Sequence, residues 1–234
     1  MNTSQTARER ARAVLTSEIK DAARRQLAVS GADGMSLRAV ARELGMVSSA
    51  LYRYFPSRDD LLTALIIDAY QALGDAAEAA DAAVGRTDLR RRWCDICRAA
   101  RQWALAHPHE YALIYGSPVP GYQAPQDTVA QAARVPLAMV AVLRDAWAAG
   151  TLAPSDVSIM GLVLTRQLAQ LAATVAPELP APVLTRALMA WSQLFGMISF
   201  ELFGQFVGSV DPAEQFFDQA VDLMATFTGL PKPR

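Results

Sequence analysis

The stretch SLRAVARELGMVSSALYRYFPSRDD, residues 36–60, decides how the chain is read. Ser36 is a helix-capping residue, and Leu37, Val40, Ala41 and Leu44 follow at i, i+3, i+4 and i+7 spacing, so a short helix with one apolar face is predicted. Gly45 ends it. A second short helix is predicted directly afterwards, up to Phe55, where Pro56 breaks it. Stepping around that second helix puts Val47, Leu51 and Phe55 on one side and Ser49, Tyr52 and Arg53 on the other, with Ser48 and Tyr54 at the flanks. A solvated helix face is ordinarily built of Glu, Lys and Gln. A face of serine, tyrosine and arginine is suited to meet something other than water.

Two short helices joined by a tight glycine-containing turn form a helix-turn-helix. The outward face of the second one fits a DNA major groove. Arg53 can take guanine O6 and N7 together, and serine hydroxyls can meet bases or phosphates. The phenols of Tyr52 and Tyr54 can reach phosphate oxygens, which fix position rather than sequence. Ser57-Arg-Asp-Asp60 reads as the capped start of a further helix, where Arg58 adds a cation beside free backbone N–H groups. As ordinary aromatics of a helical bundle, Tyr52 and Tyr54 would not need this angular placement or the flanking arginine. Upstream, Arg8, Arg10 and Arg12 could form a basic arm for the minor groove, although Glu9 among them fits a plain solvated helix start equally well.

The rest of the chain supplies a helical body. Of 234 residues, 52% are hydrophobic and 19% charged, enough to bury a sizeable core. Residues 1–60 hold ten Lys and Arg against seven Asp and Glu, a local +3, while the remainder holds twelve against sixteen, a local −4. A mildly basic head on an acidic body is compatible with a nucleic-acid-binding head. The first residues, MNTSQTARERAR, contain no apolar signal core, and there are two cysteines, so a cytoplasmic protein is expected. Residues 191–210 are apolar and long enough to span a bilayer. Ser192, Gln193, Ser199, Glu201 and Gln205 fall inside them, so a buried interface helix is expected and no membrane contact.

Strand signals are nearly absent, and the fold class expected is all-α. The first helix should run from about Ala7 to Ser30, with Leu15, Ile19, Ala22, Ala23 and Leu27 on one stripe. Later helices should cover roughly 87–106, 109–115, 126–149, 155–176, 182–207 and 212–228, with Pro136 kinking or breaking one of them. The domain organisation expected is a three-helix DNA-binding head at 1–60 and a helical ligand-binding and dimerisation domain at 61–234.

SLRAVARELG (36–45), LYRYF (51–55), Pro56, Arg58 and the Leu61-Leu62 pair together resemble the N-terminal domain of the TetR/AcrR family of bacterial transcriptional regulators. The resemblance covers about the first 65 residues at motif level, and the helical remainder agrees in length and class. It implies that Ser36, Ser48, Ser49, Tyr52, Arg53, Tyr54 and Arg58 occupy DNA-contacting positions. Val47 departs from the family's usual Ser or Thr cap, which leaves Ser48 as the available cap one residue later, and Arg58 replaces the usual lysine. Trp191-Ser-Gln-Leu-Phe195-Gly196 also resembles a TetR-type ligand-domain subgroup with a Trp-x-x-Leu-His-Gly signature, with Phe195 in place of the histidine. HPHEYALIYGSPVPGY (107–122) fits the same subgroup.

A single helix-turn-helix makes few contacts, so a homodimer on a palindromic double-stranded operator is expected. Leu188, Trp191, Phe195, Phe217, Val221 and Met224 lie on two C-terminal apolar stripes and are the candidate dimer residues, although such stripes also serve an intrachain core. The family resemblance implies a small apolar effector held in the body. Trp103, Tyr111, Tyr115, Met139, Trp147 and Met160 are candidate lining residues, because aromatics and methionines suit an adaptable pocket, though the same residues are often plain core. The resemblance makes a repressor released by its effector the expected function.

Cys94 and Cys97 share a helix face, with His107 and His109 following, which opens the alternative of a Cys₂His₂ metal site or a redox switch. The histidines flank Pro108 at a helix break, so two small buried hydrophobes are expected instead, with no metal and no cofactor. No nucleophile elbow, phosphate-binding loop, dinucleotide fingerprint or zinc-protease helix is present, and both histidines sit in one triplet, so no enzyme is expected. Catalysis by the helical body is a remote alternative. A purely architectural helical dimer would not need the Ser-Tyr-Arg face.

Overall fold

Helices begin and end where glycine and proline place them. A computed structural model describes residues 7–153 and 161–232, and among these the chain is all-α, with no strand. The elements are α1 (Ala7–Gly34), α2 (Leu37–Glu43), α3 (Ser48–Leu51), α4 (Arg58–Ala82), α5 (Leu89–Ala106), α6 (Pro108–Tyr115), α7 (Asp127–Ala132), α8 (Arg134–Ala148), α9 (Leu162–Val175), α10 (Ala181–Leu202) and α11 (Ala213–Phe227). α1 leaves helical geometry at Gly31, where φ is 66° and ψ 179°, close to the predicted end at Ser30. Pro136 acts as predicted. It has no N–H for the carbonyl of Ala132, and the expected single helix is two, α7 ending at Ala132 and α8 starting at Arg134.

The packing divides the chain into two compact units. The first joins the described residues up to Tyr70 with His107–Val129. Its core is Ile19, Ala22, Ala23 and Leu27 from α1, Leu37, Val40 and Ala41 from α2, Leu51 and Phe55, and Leu61, Leu62 and Leu65 from α4. Leu113 of α6, with Val119 and Tyr122 from the loop after it, packs against the same cluster, and the Tyr122 hydroxyl lies 2.9 Å from the Thr63 hydroxyl. The boundary expected after residue 60 therefore does not coincide with the division the packing makes. The start of α4 is a clear local signal, but its first turns belong to the head's core. The return of 107–129 to that core has no local signal.

The second unit holds Gln71–Ala106 and the described residues from Ala130 onward. α5 packs on α8, α10 and α11, and α10 also packs on α8, α9 and α11. Trp93, Ile96, Cys97, Met139, Leu143, Leu194, Ile198, Val221 and Met224 form its interior. Arg92 is fully buried, with Nε 2.6 Å from Asp81 and Nη1 2.7 Å from Asp145. Burial alone would raise the Asp81 carboxyl, but hydrogen bonds and charge from Arg92 and Arg86 outweigh it and hold the group below its ordinary value. α10 stops at Leu202, short of the expected 207, and Glu201 within it meets Arg101 through two bonds of 2.6 and 2.7 Å. No helix among the described residues is long and apolar enough to cross a membrane.

Candidate nucleic-acid interface

α2 and α3 lie on the head's core through Leu37, Val40, Ala41 and Leu51. The turn between them is closed by Gly45 N–H to Arg42 O at 3.1 Å and Met46 N–H to Ala41 O at 2.8 Å, with Gly45 at φ 65°. That left-handed geometry is why the turn takes glycine. Ser36 occupies the N-cap position of α2 in extended conformation, but its hydroxyl makes no capping bond; its own N–H donates to Gln26 Oε1 at 3.4 Å. The expected cap bond is not formed.

Three further expectations are corrected in α3. Its N-cap is Val47, in extended conformation and 70% exposed, so Val47 does not pack with Leu51 and Phe55. The angular prediction assumed that helical geometry began one residue too early. Ser48 is consequently the first helical residue and not a cap. Regular helix also stops at Leu51, earlier than Phe55, and the chain tightens through Tyr54 N–H to Leu51 O at 2.8 Å. Leu51 and Phe55 are buried as predicted.

The outward face is as expected. Ser49, Tyr52 and Arg53 are exposed, and among the described residues neither the hydroxyls nor the Arg53 guanidinium has an intrachain partner. Ser48 is half-buried. Tyr54 packs part of its ring on the head's core, and the Arg12 guanidinium stands 5.1 Å over that ring, a contact the sequence did not indicate.

Arg58 is placed differently from the expectation of a phosphate-directed cation. Its Nη2 donates to Ala32 O at 2.7 Å and its Nε to Met35 O at 3.2 Å, so the fork closes the C-terminal end of α1 against the start of α4. A planar fork that spreads its donors over separate nitrogens, where lysine has a single ammonium, makes this possible. Ser57 and Asp60 form the predicted cap, with Asp60 N–H to Ser57 Oγ at 3.1 Å and Ser57 N–H to Asp60 Oδ2 at 2.9 Å.

The candidate effector residues divide between the two units. In the first, Tyr111 and Tyr115 have ring centres 5.1 Å apart, and Tyr70 meets Tyr115 edge-on at 6.0 Å. Burial, with the neighbouring phenols of Tyr70 and Tyr111, pushes the Tyr115 phenol well up, so it stays neutral. In the second, Trp103 and Met139 are buried and Trp147 is exposed. Met160 lies outside the described residues. Trp93, which the sequence reading did not single out, and Trp191, which it placed with the dimer residues, have indole N–H groups buried without an acceptor among the described residues.

Four of the six candidate dimer residues, Phe195, Phe217, Val221 and Met224, are buried inside the chain, and Leu188 and Trp191 are half-buried. α10 is apolar nearly all round, and the stripes chosen from sequence are those the chain itself covers. The open apolar face of α10 and α11 carries Met189, Phe200 and Phe203, with Phe216, Leu223 and Phe227. Phe206 bridges Phe200 and Phe216 through ring contacts of 5.7 and 5.4 Å.

Cys94 and Cys97 are free and buried, and burial raises both thiols, the opposite of an activated cysteine. Among the described residues, no group of three or more His, Cys, Asp or Glu side chains is placed to hold a metal ion.

A helical head presenting unused donors from its second short helix and the turn that follows it defines a helix-turn-helix DNA-binding protein. The chain belongs to the TetR family: residues 19–65 match the model described as bacterial regulatory proteins, tetR family, and residues 93–224 the tetracyclin repressor-like C-terminal domain. It is 41% identical over 229 residues to the HTH-type transcriptional regulators Rv1816 of Mycobacterium tuberculosis and Mb1846 of Mycobacterium bovis, across 93% of this chain and 94% of each relative. Among solved structures it is similar to the regulatory protein SCO4313, at 39% identity and TM-score 0.75 over 94% of this chain and 100% of that one. A protein from Rhodococcus sp. RHA1 is similar at 25% identity and TM-score 0.69, over 99% and 100%. The protein is a TetR-family transcriptional regulator that binds DNA through its helix-turn-helix.

Proposed function

We propose that the protein is a homodimeric, sequence-specific repressor of the cytoplasm that binds a palindromic operator and is released by a small, largely apolar effector. The observation that carries this is the exposed face of Ser49, Tyr52 and Arg53, whose donors have no partner in the chain. Arg53 reads a base pair, while Ser36, Ser48, Ser49, Tyr52 and Tyr54 position the head on phosphates and base edges. Two heads are brought together by the open apolar face of Phe200, Phe203, Phe216 and Leu223, an arrangement supported by its exposure on two adjacent helices. An effector in the body acts by binding the non-DNA-binding state more tightly, since equal affinity for both states shifts nothing. Trp93 and Trp191 support an effector carrying hydrogen-bond acceptors on an apolar frame.

The test is selection of bound fragments from a random duplex library by the purified full chain without added ligand. Enrichment of a palindrome is the expected outcome. A folded dimer that enriches nothing and shows no salt-sensitive binding at low salt overturns the proposal.

A further inference from the structure

Ten lysines and arginines lie in residues 1–60, and the structure sorts them. On α1, Lys20 is 2.8 Å and Arg24 2.6 Å from Asp68, and Arg25 is 2.6 Å from Glu43. Arg58 is committed to the backbone carbonyls of Ala32 and Met35. Arg12 is different. Among the described residues it faces no carboxylate within ion-pair distance and donates none of its hydrogen bonds, yet it is held in place, 5.1 Å over the ring of Tyr54. A guanidinium over an aromatic face is attracted by the ring's charge distribution and keeps all five N–H donors for other acceptors.

The ring beneath it is itself fixed. Tyr54 packs on the head's core and follows directly on Tyr52 and Arg53, so Arg12 stands one ring away from the DNA-reading turn. The Tyr54 hydroxyl also has no partner among the described residues. Arg8, four residues earlier and therefore on the same face of α1, is exposed and unpaired as well. The groove beside Arg12 is lined by Glu9, Lys20, Arg24 and Asp68, but Asp68 already holds Lys20 and Arg24, so that groove offers no comparable set of free donors.

We infer that Arg12, seated on Tyr54, is a DNA-phosphate contact from α1 that widens the interface beyond the helix-turn-helix, with Arg8 extending it. The inference rests on the DNA-binding reading. Phosphate oxygens are the acceptors that match an exposed cation with five free donors beside a free phenol, and such a contact positions the head without reading bases.

The experiment is fluorescence anisotropy of the full chain on its selected palindrome and on a mixed-sequence duplex of equal length, across a salt series. Arg12→Gln should weaken both complexes roughly tenfold and flatten the slope of log affinity against log salt by about one, while Arg12→Lys keeps the slope. Unchanged affinity and slope in a folded Arg12→Gln protein would overturn the inference. So would weaker binding with an unchanged slope, because Arg12 would then only steady Tyr54. Should Arg12→Gln fail to fold, Arg8→Gln on the exposed preceding turn carries the same test. If the wild-type chain binds neither duplex at low salt, the DNA-binding reading fails and takes this inference with it; wild-type binding that is indifferent to Arg12 defeats the inference alone.

Discussion

Most of the body's described arginines are paired with carboxylates inside the chain, while most of the head's are not. In the body, Arg86, Arg90, Arg91, Arg92, Arg98, Arg101, Arg134 and Arg144 each sit within ion-pair distance of a carboxylate. In the head, Arg8, Arg10, Arg12, Arg38, Arg42 and Arg53 are exposed and have no such partner among the described residues. The surfaces left open differ correspondingly: unused donors on the head, bare aromatic and aliphatic side chains on α10 and α11. One residue type therefore does two jobs. Where a carboxylate meets it inside the chain, arginine holds helices together; where none does, its charge is left for a partner outside.

The largest expected effect breaks the body's side of this contrast. Arg92→Ala strips a fully buried cation from Asp81 and Asp145 and should destabilise the fold by about 3–5 kcal/mol in denaturant titrations near neutral pH. Because Asp81 sits below its ordinary value in the fold, its stabilising contribution is complete above the ordinary carboxylate range and is lost as pH falls through the lowered value. The gap between wild type and Arg92→Ala should therefore narrow below about pH 4. A difference under about 1 kcal/mol at neutral pH would mean that the body's buried arginine is not a staple.

Next in size is the open apolar face. Phe200, 52% exposed, and Leu223, 58% exposed, contribute little to the interior, so replacing both with Asp should leave folding intact. Sedimentation should show a monomer, and affinity for a palindrome should drop about a hundredfold through loss of avidity. A double variant that stays dimeric would place the contact between copies elsewhere.

These two surfaces also mark where the sequence was informative. Leu51 and Phe55 inward, Ser49, Tyr52 and Arg53 outward, and the break at Pro136 all follow from local spacing, and all are present. Phe195, Phe217, Val221 and Met224 show the limit. A helix apolar around most of its circumference does not reveal which stripe its own chain will cover. Local spacing is equally silent about residues that meet across long separations, such as Arg12 with Tyr54, Arg58 with Ala32, or Tyr122 with Thr63.

On the head, Arg53→Ala should cost about 1–3 kcal/mol at one or two base positions and relax preference there, read by competition between single-base variants of the selected site. Equal loss on every sequence would make Arg53 a phosphate contact and leave base reading to Ser48, Ser49 and Tyr52. It would not disturb the contrast with the body, since the guanidinium would still be serving an external partner.

Arg58, like Arg24 and Arg25, is a head arginine engaged inside the chain, and it carries the smallest expected effect. The resemblance led to the expectation of a DNA contact here, but the Arg58 fork is engaged with the carbonyls of Ala32 and Met35 and behaves like a body arginine. Arg58→Ala should lower stability by about 1–2 kcal/mol, the scale of a partly exposed charge-assisted hydrogen-bonded group. DNA affinity should fall modestly on all sequences, because the end of α1 leads directly into Ser36 and α2. The salt slope should change by much less than one unit, since little of the charge faces the duplex. A slope that drops by about one with stability unchanged would move Arg58 to the outward-facing group beside Arg53. The carbonyl contacts would then describe only the resting place of its fork before DNA arrives.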